Sequence, residues 1–110
     1  MRNVWAVFFA VLLIFPATVS KAQEQAWIQI EALPSLASAE QAIRGYAANL
    51  QDVNGFAISN GWYAIVLGPY SPSDAQHVLT VYKADRLIPR DSYIAKSTTY
   101  RKQFWPEGAN

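Results

Sequence analysis

The segment NGWYAIVLGPY, residues 60–70, constrains the fold of this chain more than any other stretch. It opens with Asn60-Gly61, the pair most favoured in two-residue hairpin turns, because both positions need positive φ. The run from Trp62 to Leu67 is rich in aromatic and β-branched residues and predicts a strand. Gly68-Pro69 is predicted to end that strand, since proline cannot donate to a β-ladder. One short segment therefore predicts a hairpin and a central strand.

A helix is predicted directly after this segment. Ser71 is the expected N-cap, Pro72 occupies the first helical position, and Asp74 stands three residues after the cap. Apolar residues then recur at helical spacing to about residue 86, before Pro89. The second half of the hairpin thus leads through a sharp corner into a helix.

Residues 1–22 have the layout of a secretory signal peptide. Arg2 supplies a positive start, an apolar run spans Val4 to Phe15, and Ser20-Lys21-Ala22 places small residues before a cleavage site after Ala22. The alternative is an uncleaved inner-membrane anchor, but a spanning helix needs about 20 apolar residues, and this run is shorter. We therefore expect a periplasmic protein. It has no cysteine and so forms no disulfide.

The length and net charge of the chain after residue 22 limit the number of domains and the classes of binding partner. Removing residues 1–22 from the 110-residue chain leaves 88 residues, enough for one domain. Arg2 and Lys21 are lost with that segment, so seven basic side chains remain against eight acidic ones. This balance argues against nucleic acid as a partner, and against a membrane except through an uncleaved N-terminal segment.

The remaining elements complete a β-α-β-β-α-β order. Residues 26–32 predict a first strand, with Ile28 and Ile30 on one face. Helical spacing follows over residues 36–50, capped by Ser35 or Ser38. Residues 53–59 form the first arm of the hairpin, and residues 93–95 the last strand. We expect an α+β fold of the split βαβ (ferredoxin- or RNP-like) kind, with a four-stranded antiparallel sheet and two helices on one face.

The two-residue turn determines which hairpin residues share a face. It places Ser59 opposite Trp62 and Phe56 opposite Ile65, and directly opposite residues point to the same side. The face expected under the helices therefore carries Phe56, Ile58, Tyr63, Ile65 and Leu67. The other face is expected to carry Ala57, Ser59, Trp62, Ala64 and Val66.

The face away from the helices is the candidate site. Its expected side chains are Trp27, Gln29, Glu31, Trp62 and, near the edge, Tyr93. Small monomers rarely expose such an aromatic patch without a use. Aromatic rings stack on the C–H faces of sugars, while an amide and a carboxylate bind hydroxyl and acetamido groups, so the pattern favours a carbohydrate platform. The alternative is that residues 100–106 cover the two tryptophans.

The order WIQIEA, helix, NGWYAIVLGPY, helix and short strand resembles the SPOR (sporulation-related repeat) domain over residues 26–96. Gln29 matches a glutamine in the first strand of that family, and Gly68, Pro69 and Tyr70 match the Gly-Pro-aromatic before its second helix. The resemblance implies a bacterial module that binds peptidoglycan glycan strands poor in stem peptides, often at the division septum. It also implies binding residues near Tyr93 and Arg101 in the last part of the chain.

Catalysis, metals and cofactors are not expected. His77 is the one histidine and has no partner residue that would orient it as a base. The carboxylates of Glu31, Asp85, Asp91 and Glu107 are scattered and show no spacing that pairs two of them for glycoside hydrolysis. The alternatives to a glycan-binding module are a structural or protein-interaction domain of a cell-envelope or division protein and, less favoured by charge and export, an RRM-like RNA-binding module.

Residues 97–110 form a C-terminal tail with three aromatic residues, Tyr100, Phe104 and Trp105. These side chains are too apolar for a free end. The segment is long enough either to cross the open sheet face or to pack along the helices. We expect the second arrangement, because the first would cover the candidate site.

Overall fold

The computed structural model describes residues 24–108, in which two helices pack on one face of a five-stranded antiparallel sheet. The predicted signal peptide and its cleavage site lie outside the described residues. Within residues 24–108, no helix is both long and apolar enough to cross a membrane. The elements in chain order are β1 (Ala26–Leu33), α1 (Leu36–Asn49), β2 (Val53–Ala57), β3 (Tyr63–Tyr70), α2 (Pro72–Ala84), β4 (Tyr93–Lys96) and β5 (Gln103–Trp105).

The strand order in the sheet is β4-β1-β3-β2-β5. Its first four strands have the arrangement expected for a split βαβ fold, so the predicted α+β class is compatible with the structure. The predicted count of four strands is wrong, because residues 103–105 add a fifth strand beside β2.

Both helices begin at the caps that the sequence predicts. The Ser35 hydroxyl accepts a hydrogen bond from the backbone N–H of Ser38, and the Ser71 hydroxyl accepts one from Asp74. Each bond satisfies a backbone donor that the first helical turn leaves without a partner. Pro72 occupies the start of α2, where its missing N–H has no consequence.

One hydrophobic core lies between the sheet and the two helices. It contains Ile28 and Ile30 from β1, Ile65 and Leu67 from β3, and Ile43 from α1, all fully or almost fully buried. Ala75 of α2 is buried in the same cluster, and Val78, Leu79 and Tyr82 of that helix pack against it. The two helices therefore cover the same face of the sheet, as predicted.

The hairpin register differs from the prediction by one residue. Phe56 lies opposite Ala64 rather than Ile65, and Ala57 lies opposite Tyr63. The turn contains three residues, Ser59–Gly61, closed by a hydrogen bond from the Ile58 N–H to the Trp62 carbonyl. A shift of one residue moves every side chain of a strand to the other face.

The faces of the first hairpin arm are therefore exchanged. Phe56 and Ile58 pack with Ala64 and Val66 on the face away from the helices, which we call the open face. Tyr63, Ile65 and Leu67 point to the helices as predicted, and their partners in β2 include Ala57 and Gly55.

Gly68-Pro69 does not end β3. The strand continues to Tyr70, which pairs with Ala26 of β1 beyond a shift in register. Gly68 has φ of +132°, a conformation that side chains rarely adopt, and it lies next to the Trp27 ring. The irregularity accommodates the proline within an otherwise continuous strand.

Glu31 is on the opposite side of the sheet from its predicted position. β1 contains a bulge between Gln29, which pairs with Val66, and Glu31, which pairs with Ile65. The extra residue, Ile30, reverses the alternation after it. Glu31 consequently points toward α1, where its Oε1 accepts a 2.9 Å hydrogen bond from the Tyr46 hydroxyl.

The C-terminal tail is part of the sheet and also crosses it. β4 and β5 are the two edge strands, so residues 97–102 pass across the sheet to join them; we call these residues the crossing segment. Four strand spacings amount to about 19 Å, within reach of six residues. The expectation that the whole tail packs on the helix side is wrong for Tyr100, which lies on the open face. It is confirmed for Phe104 and Trp105, which pack against the helix-side core.

Candidate functional site

The crossing segment covers the middle of the open face. Trp27 is only 8% exposed and Gln29 9%, although both point away from the helices. The platform of solvent-facing tryptophans expected from the sequence is therefore absent at Trp27. The tail covers Trp27 because the chain crosses this face from β4, at one edge of the sheet, to β5, at the other.

Three aromatic rings form the centre of this cover. Trp27 meets Phe56 edge to face at 5.2 Å between ring centroids, and meets Tyr100 in the same manner at 5.9 Å. Phe56 and Tyr100 are stacked at 5.3 Å. These separations and angles are the favourable ones for aromatic pairs, so the cluster stabilises the crossing segment on the sheet.

Tyr100 also holds Gln29 in place. Its hydroxyl donates a 2.9 Å hydrogen bond to Oε1 of Gln29. Burial raises the pKa of the Tyr100 hydroxyl well above its usual value, with a smaller contribution from Tyr93. The hydroxyl therefore remains protonated and donates throughout the physiological pH range.

A groove remains open beside the cover, at the edge of β1 that β4 leaves unpaired. It encloses about 190 Å³ and is lined by Gln29, Ile30, Glu31, Ala32, Asp91 and Tyr93; we call it the Tyr93 groove. Tyr93 is 52% exposed and lies directly opposite Gln29 across the β4–β1 pair. Since β4 begins at Tyr93 and runs antiparallel to β1, it pairs with β1 only as far as Gln29 and leaves that edge of β1 unpaired from Ile30 onward.

The Tyr93 groove offers both a hydrogen-bond donor and hydrogen-bond acceptors. Oε1 of Gln29 is occupied by Tyr100, whereas its amide nitrogen has no partner among the described residues and is not fully buried. Glu31 and Asp91 add two carboxylates. The sequence spacing of these two acids gave no sign that they meet, because a 60-residue separation is closed only by the fold.

The Tyr46 hydroxyl fixes Glu31 from the helix side. Burial raises the pKa of Tyr46 to about 12, and the hydrogen bond to Glu31 and the charges of Glu31 and Asp91 act in the same direction. Tyr46 is therefore a permanent donor at neutral pH. The Glu31 side chain lies at the border between the Tyr93 groove and the helix side.

The structure does not bring all predicted site residues together. Trp62 is 43% exposed, just before β3, and is not among the residues that line the Tyr93 groove. Arg101 is exposed on the crossing segment, where its backbone N–H donates to the Ala57 carbonyl. Only Gln29, Glu31 and Tyr93 of the six predicted residues share one groove.

Sequence reasoning missed Asp91 and Phe56 as neighbours of the site, and it offered cover of Trp27 by residues 100–106 only as the less favoured alternative. One signal was available for the tail: Gly55 in β2 leaves the space that the Phe104 ring occupies, since a Cβ there would approach that ring to 2.5 Å. A glycine inside a strand often marks such a close approach. It indicates that an aromatic residue from elsewhere in the chain packs onto β2.

Metal binding has no support in the part of the chain that the structure describes. Residues 24–108 contain no group of three histidine or carboxylate side chains that could hold an ion. His77 is exposed on α2 and does not line the Tyr93 groove.

Comparison of this chain with family models, with curated proteins and with solved structures found no match.

Proposed function

We propose that this domain is a non-catalytic module of the cell envelope that binds peptidoglycan glycan strands, poor in stem peptides, at the Tyr93 groove. The observation that supports it is the exposed Tyr93 ring beside an amide and two carboxylates in a single groove. The residues expected to contact the glycan are Tyr93, Gln29, Glu31 and Asp91, which line this groove. The SPOR-like order of elements supports the same ligand class.

The chemistry of the groove suits a sugar ring. The face of an aromatic ring carries partial negative charge and attracts the polarised C–H bonds of one sugar face. The Gln29 amide nitrogen can donate to a hydroxyl or acetamido oxygen, and the carboxylates of Glu31 and Asp91 accept from hydroxyl groups. One apolar surface combined with a few polar groups is the usual composition of a small-molecule site.

Binding to purified sacculi tests the proposal. The full chain is sedimented with sacculi that have or have not been treated with an amidase, which removes stem peptides. We expect more protein in the pellet after treatment. Tyr93→Ala should weaken binding about 3- to 10-fold, whereas Tyr93→Phe should retain it because the ring remains. Trp62→Ala is the matched control, an exposed aromatic residue outside the groove.

Two results would contradict this site. Equal binding by wild type and Tyr93→Ala would show that Tyr93 does not contact the ligand, and loss of binding in Trp62→Ala would move the site to the other end of the sheet. Release of soluble sugar fragments from the sacculi would show that Glu31 and Asp91 act in catalysis, against the non-catalytic part of the proposal.

A second candidate is a structural or protein-interaction domain of an envelope or division protein. The cover of Trp27 by Tyr100 favours it, because that contact stabilises the fold and removes the ring from a ligand surface. The same cover removes the central aromatic platform on which an RRM-like module would stack bases. Absence of binding to both kinds of sacculi would favour the interaction domain.

We also propose export to the periplasm with cleavage after Ala22. Mass spectrometry of the periplasmic fraction should find a mature chain that starts at Gln23. Recovery of the full-length chain from the inner membrane would instead establish the membrane-anchored alternative.

A further inference from the structure

A second groove lies on the helix side of the sheet, between α1 and the loop that joins α2 to β4. It encloses about 640 Å³, and its lining includes Glu31, Gly45, Tyr46, Asn49, Arg86 and Leu87; we call it the helix-side groove. It lies on the opposite side of the sheet from Trp27 and Gln29, and it shares one lining residue, Glu31, with the Tyr93 groove. Two of its residues are unfavourable for the local structure in which they lie.

Gly45 is the first of these. It stands in the interior of α1, where glycine is less favourable than alanine. Close packing does not require it, since a Cβ at this position would have no atom within 4 Å. The empty space beside Gly45 belongs to the groove.

Arg86 is the second. α2 ends in a Schellman motif, in which the Arg86 N–H donates to the Lys83 carbonyl and the Leu87 N–H to the Tyr82 carbonyl. Arg86 has φ of +60° at the position where this motif favours glycine, because a side chain there is strained. Its guanidinium has no carboxylate partner within residues 24–108.

Residues that break a local rule without compensation in the fold are expected at functional sites. Gly45 would be replaced by alanine, and Arg86 by glycine, if stability of the helices alone mattered. The two line the same groove. A missing side chain gives a ligand access to the helix backbone, and an added guanidinium supplies a charge at the other wall.

The helix-side groove is lined by one cation, Arg86, and one carboxylate, Glu31, so an anionic group is favoured only at its Arg86 end. Lys83 and Arg90 lie with Arg86 around an adjoining hollow whose lining contains no acidic residue. Three cations close to one another raise the local positive potential, although the mature chain has a net charge near −1. The guanidinium of Arg86 can bind a carboxylate through two parallel hydrogen bonds.

We propose that the helix-side groove binds the carboxyl-terminal end of a peptide chain. The terminal carboxylate pairs with Arg86, and an apolar last side chain packs on Leu87, which is 42% exposed. The peptide backbone passes over Gly45, where its N–H groups meet Oε2 of Glu31 and Oδ1 of Asn49. Neither oxygen is bonded to another described residue. The two proposed sites share Glu31, but the peptide site is argued from Arg86 and Gly45, which do not line the Tyr93 groove, and does not depend on glycan binding.

The test is a titration of the isotope-labelled full chain with acetyl-Gly-Ala-Leu, followed by amide chemical shifts. We expect saturable shifts at Gly45, Tyr46, Asn49 and Leu87. The same peptide with an amidated C-terminus should bind at least about 10-fold more weakly, since it lacks the charge-assisted bonds. Inorganic phosphate is titrated separately to detect a site that accepts any anion.

Variants test the two unusual residues. Arg86→Asn keeps a residue that tolerates the left-handed conformation and should lower peptide affinity about 10-fold or more, whereas Lys102→Asn, at an exposed position beside β5, should not. Gly45→Leu fills the groove and should abolish the shifts, while Ala48→Leu, exposed on the same helix, should leave them. Gly45→Ala should raise the melting temperature and yet weaken binding.

Three results of the peptide titrations would overturn the proposal. They are equal binding of the free and amidated peptides, no loss of affinity in Arg86→Asn, and peptide shifts that map only to the open face. Saturable phosphate shifts at Arg86 and Arg90 without peptide binding would show an anion site in place of a peptide site.

Discussion

The Tyr100 hydroxyl donates a 2.9 Å hydrogen bond to Oε1 of Gln29, which lies 71 residues earlier in the chain. This bond connects the first strand to the crossing segment on the open face. It is accompanied by ring contacts of Tyr100 with Trp27 and Phe56. These contacts hold the crossing segment on the sheet, and they also bury Trp27, so that a ligand cannot reach this part of the open face.

Substitution of Tyr100 should separate the contribution of the hydrogen bond to stability from that of the ring contacts. Tyr100→Phe removes the hydroxyl and leaves an amide oxygen without its donor, which should lower the free energy of unfolding by about 1 kcal/mol. Tyr100→Ala also removes the ring contacts and should lower it by about 2 kcal/mol or more. Urea unfolding measures both values. An equal effect of the two variants would mean that the ring packing contributes nothing.

The same substitution tests whether the crossing segment regulates glycan binding. Tyr100→Ala uncovers Trp27 and replaces none of the residues that line the Tyr93 groove, while it removes the hydrogen bond to Oε1 of Gln29. We expect sacculus binding to stay within about 2-fold of wild type. A clear gain would show that the crossing segment is an occluding lid and that Trp27 is part of the glycan site.

The glycines in β2 and α1 should respond in opposite directions to alanine. Gly55→Ala places a methyl group within 2.8 Å of three atoms of the Phe104 ring and should destabilise the protein by about 1–3 kcal/mol. The methyl group added in Gly45→Ala would have no atom within 4 Å, so this change should stabilise the protein by about 0.5–1 kcal/mol.

A double variant checks the cause at Gly55. Combining Gly55→Ala with Phe104→Leu should cost less than the sum of the two single changes, because the smaller side chain gives room to the methyl group. Additive effects would mean that the Phe104 ring is not what glycine accommodates.

Stability should fall in alkaline solution because of buried tyrosines. Burial, followed by the charges of Asp52 and Tyr82, raises the pKa of Tyr70 to about 12, and Tyr46 has the same value for the reasons given above. In the unfolded chain these hydroxyls lose their protons near pH 10. Between pH 10 and 12 the folded protein therefore binds more protons, and the free energy of unfolding decreases as pH rises.

Urea unfolding at pH 8, 9, 10 and 11 measures this dependence. We expect no contribution from these groups below pH 9 and a progressive loss above pH 10, with a smaller slope in Tyr46→Phe. The absorbance change of tyrosinate should show a group that titrates above pH 11. Titration of every tyrosine near pH 10, with constant stability, would contradict the prediction.

Deletion of residues 100–110 should lower the free energy of unfolding by at least about 3 kcal/mol. It removes β5, the Tyr100 contacts, and the packing of Phe104 and Trp105 on the helix-side core. Thermal unfolding followed by circular dichroism measures the loss. An unchanged melting temperature would show that the tail is dispensable to the domain.

The sequence alone determined the type, order and starts of the main elements. Ser35 and Ser71 are helix caps because a hydroxyl at that position satisfies a local backbone donor, whatever the rest of the chain does. Helical spacing and the run from Trp62 to Leu67 likewise report on neighbours in the chain. These signals are local, and they predicted the two helices and four of the strands.

Tertiary structure decided which side chains share a face, and therefore the site. A third residue in the turn at Ser59–Gly61 reversed Phe56, and the bulge at Ile30 reversed Glu31, because a strand alternates with a period of two and any inserted residue exchanges its faces. The cover of Trp27 by Tyr100 and the meeting of Glu31 with Asp91 depend on how distant strands are ordered in the sheet. No spacing within one segment contains that information.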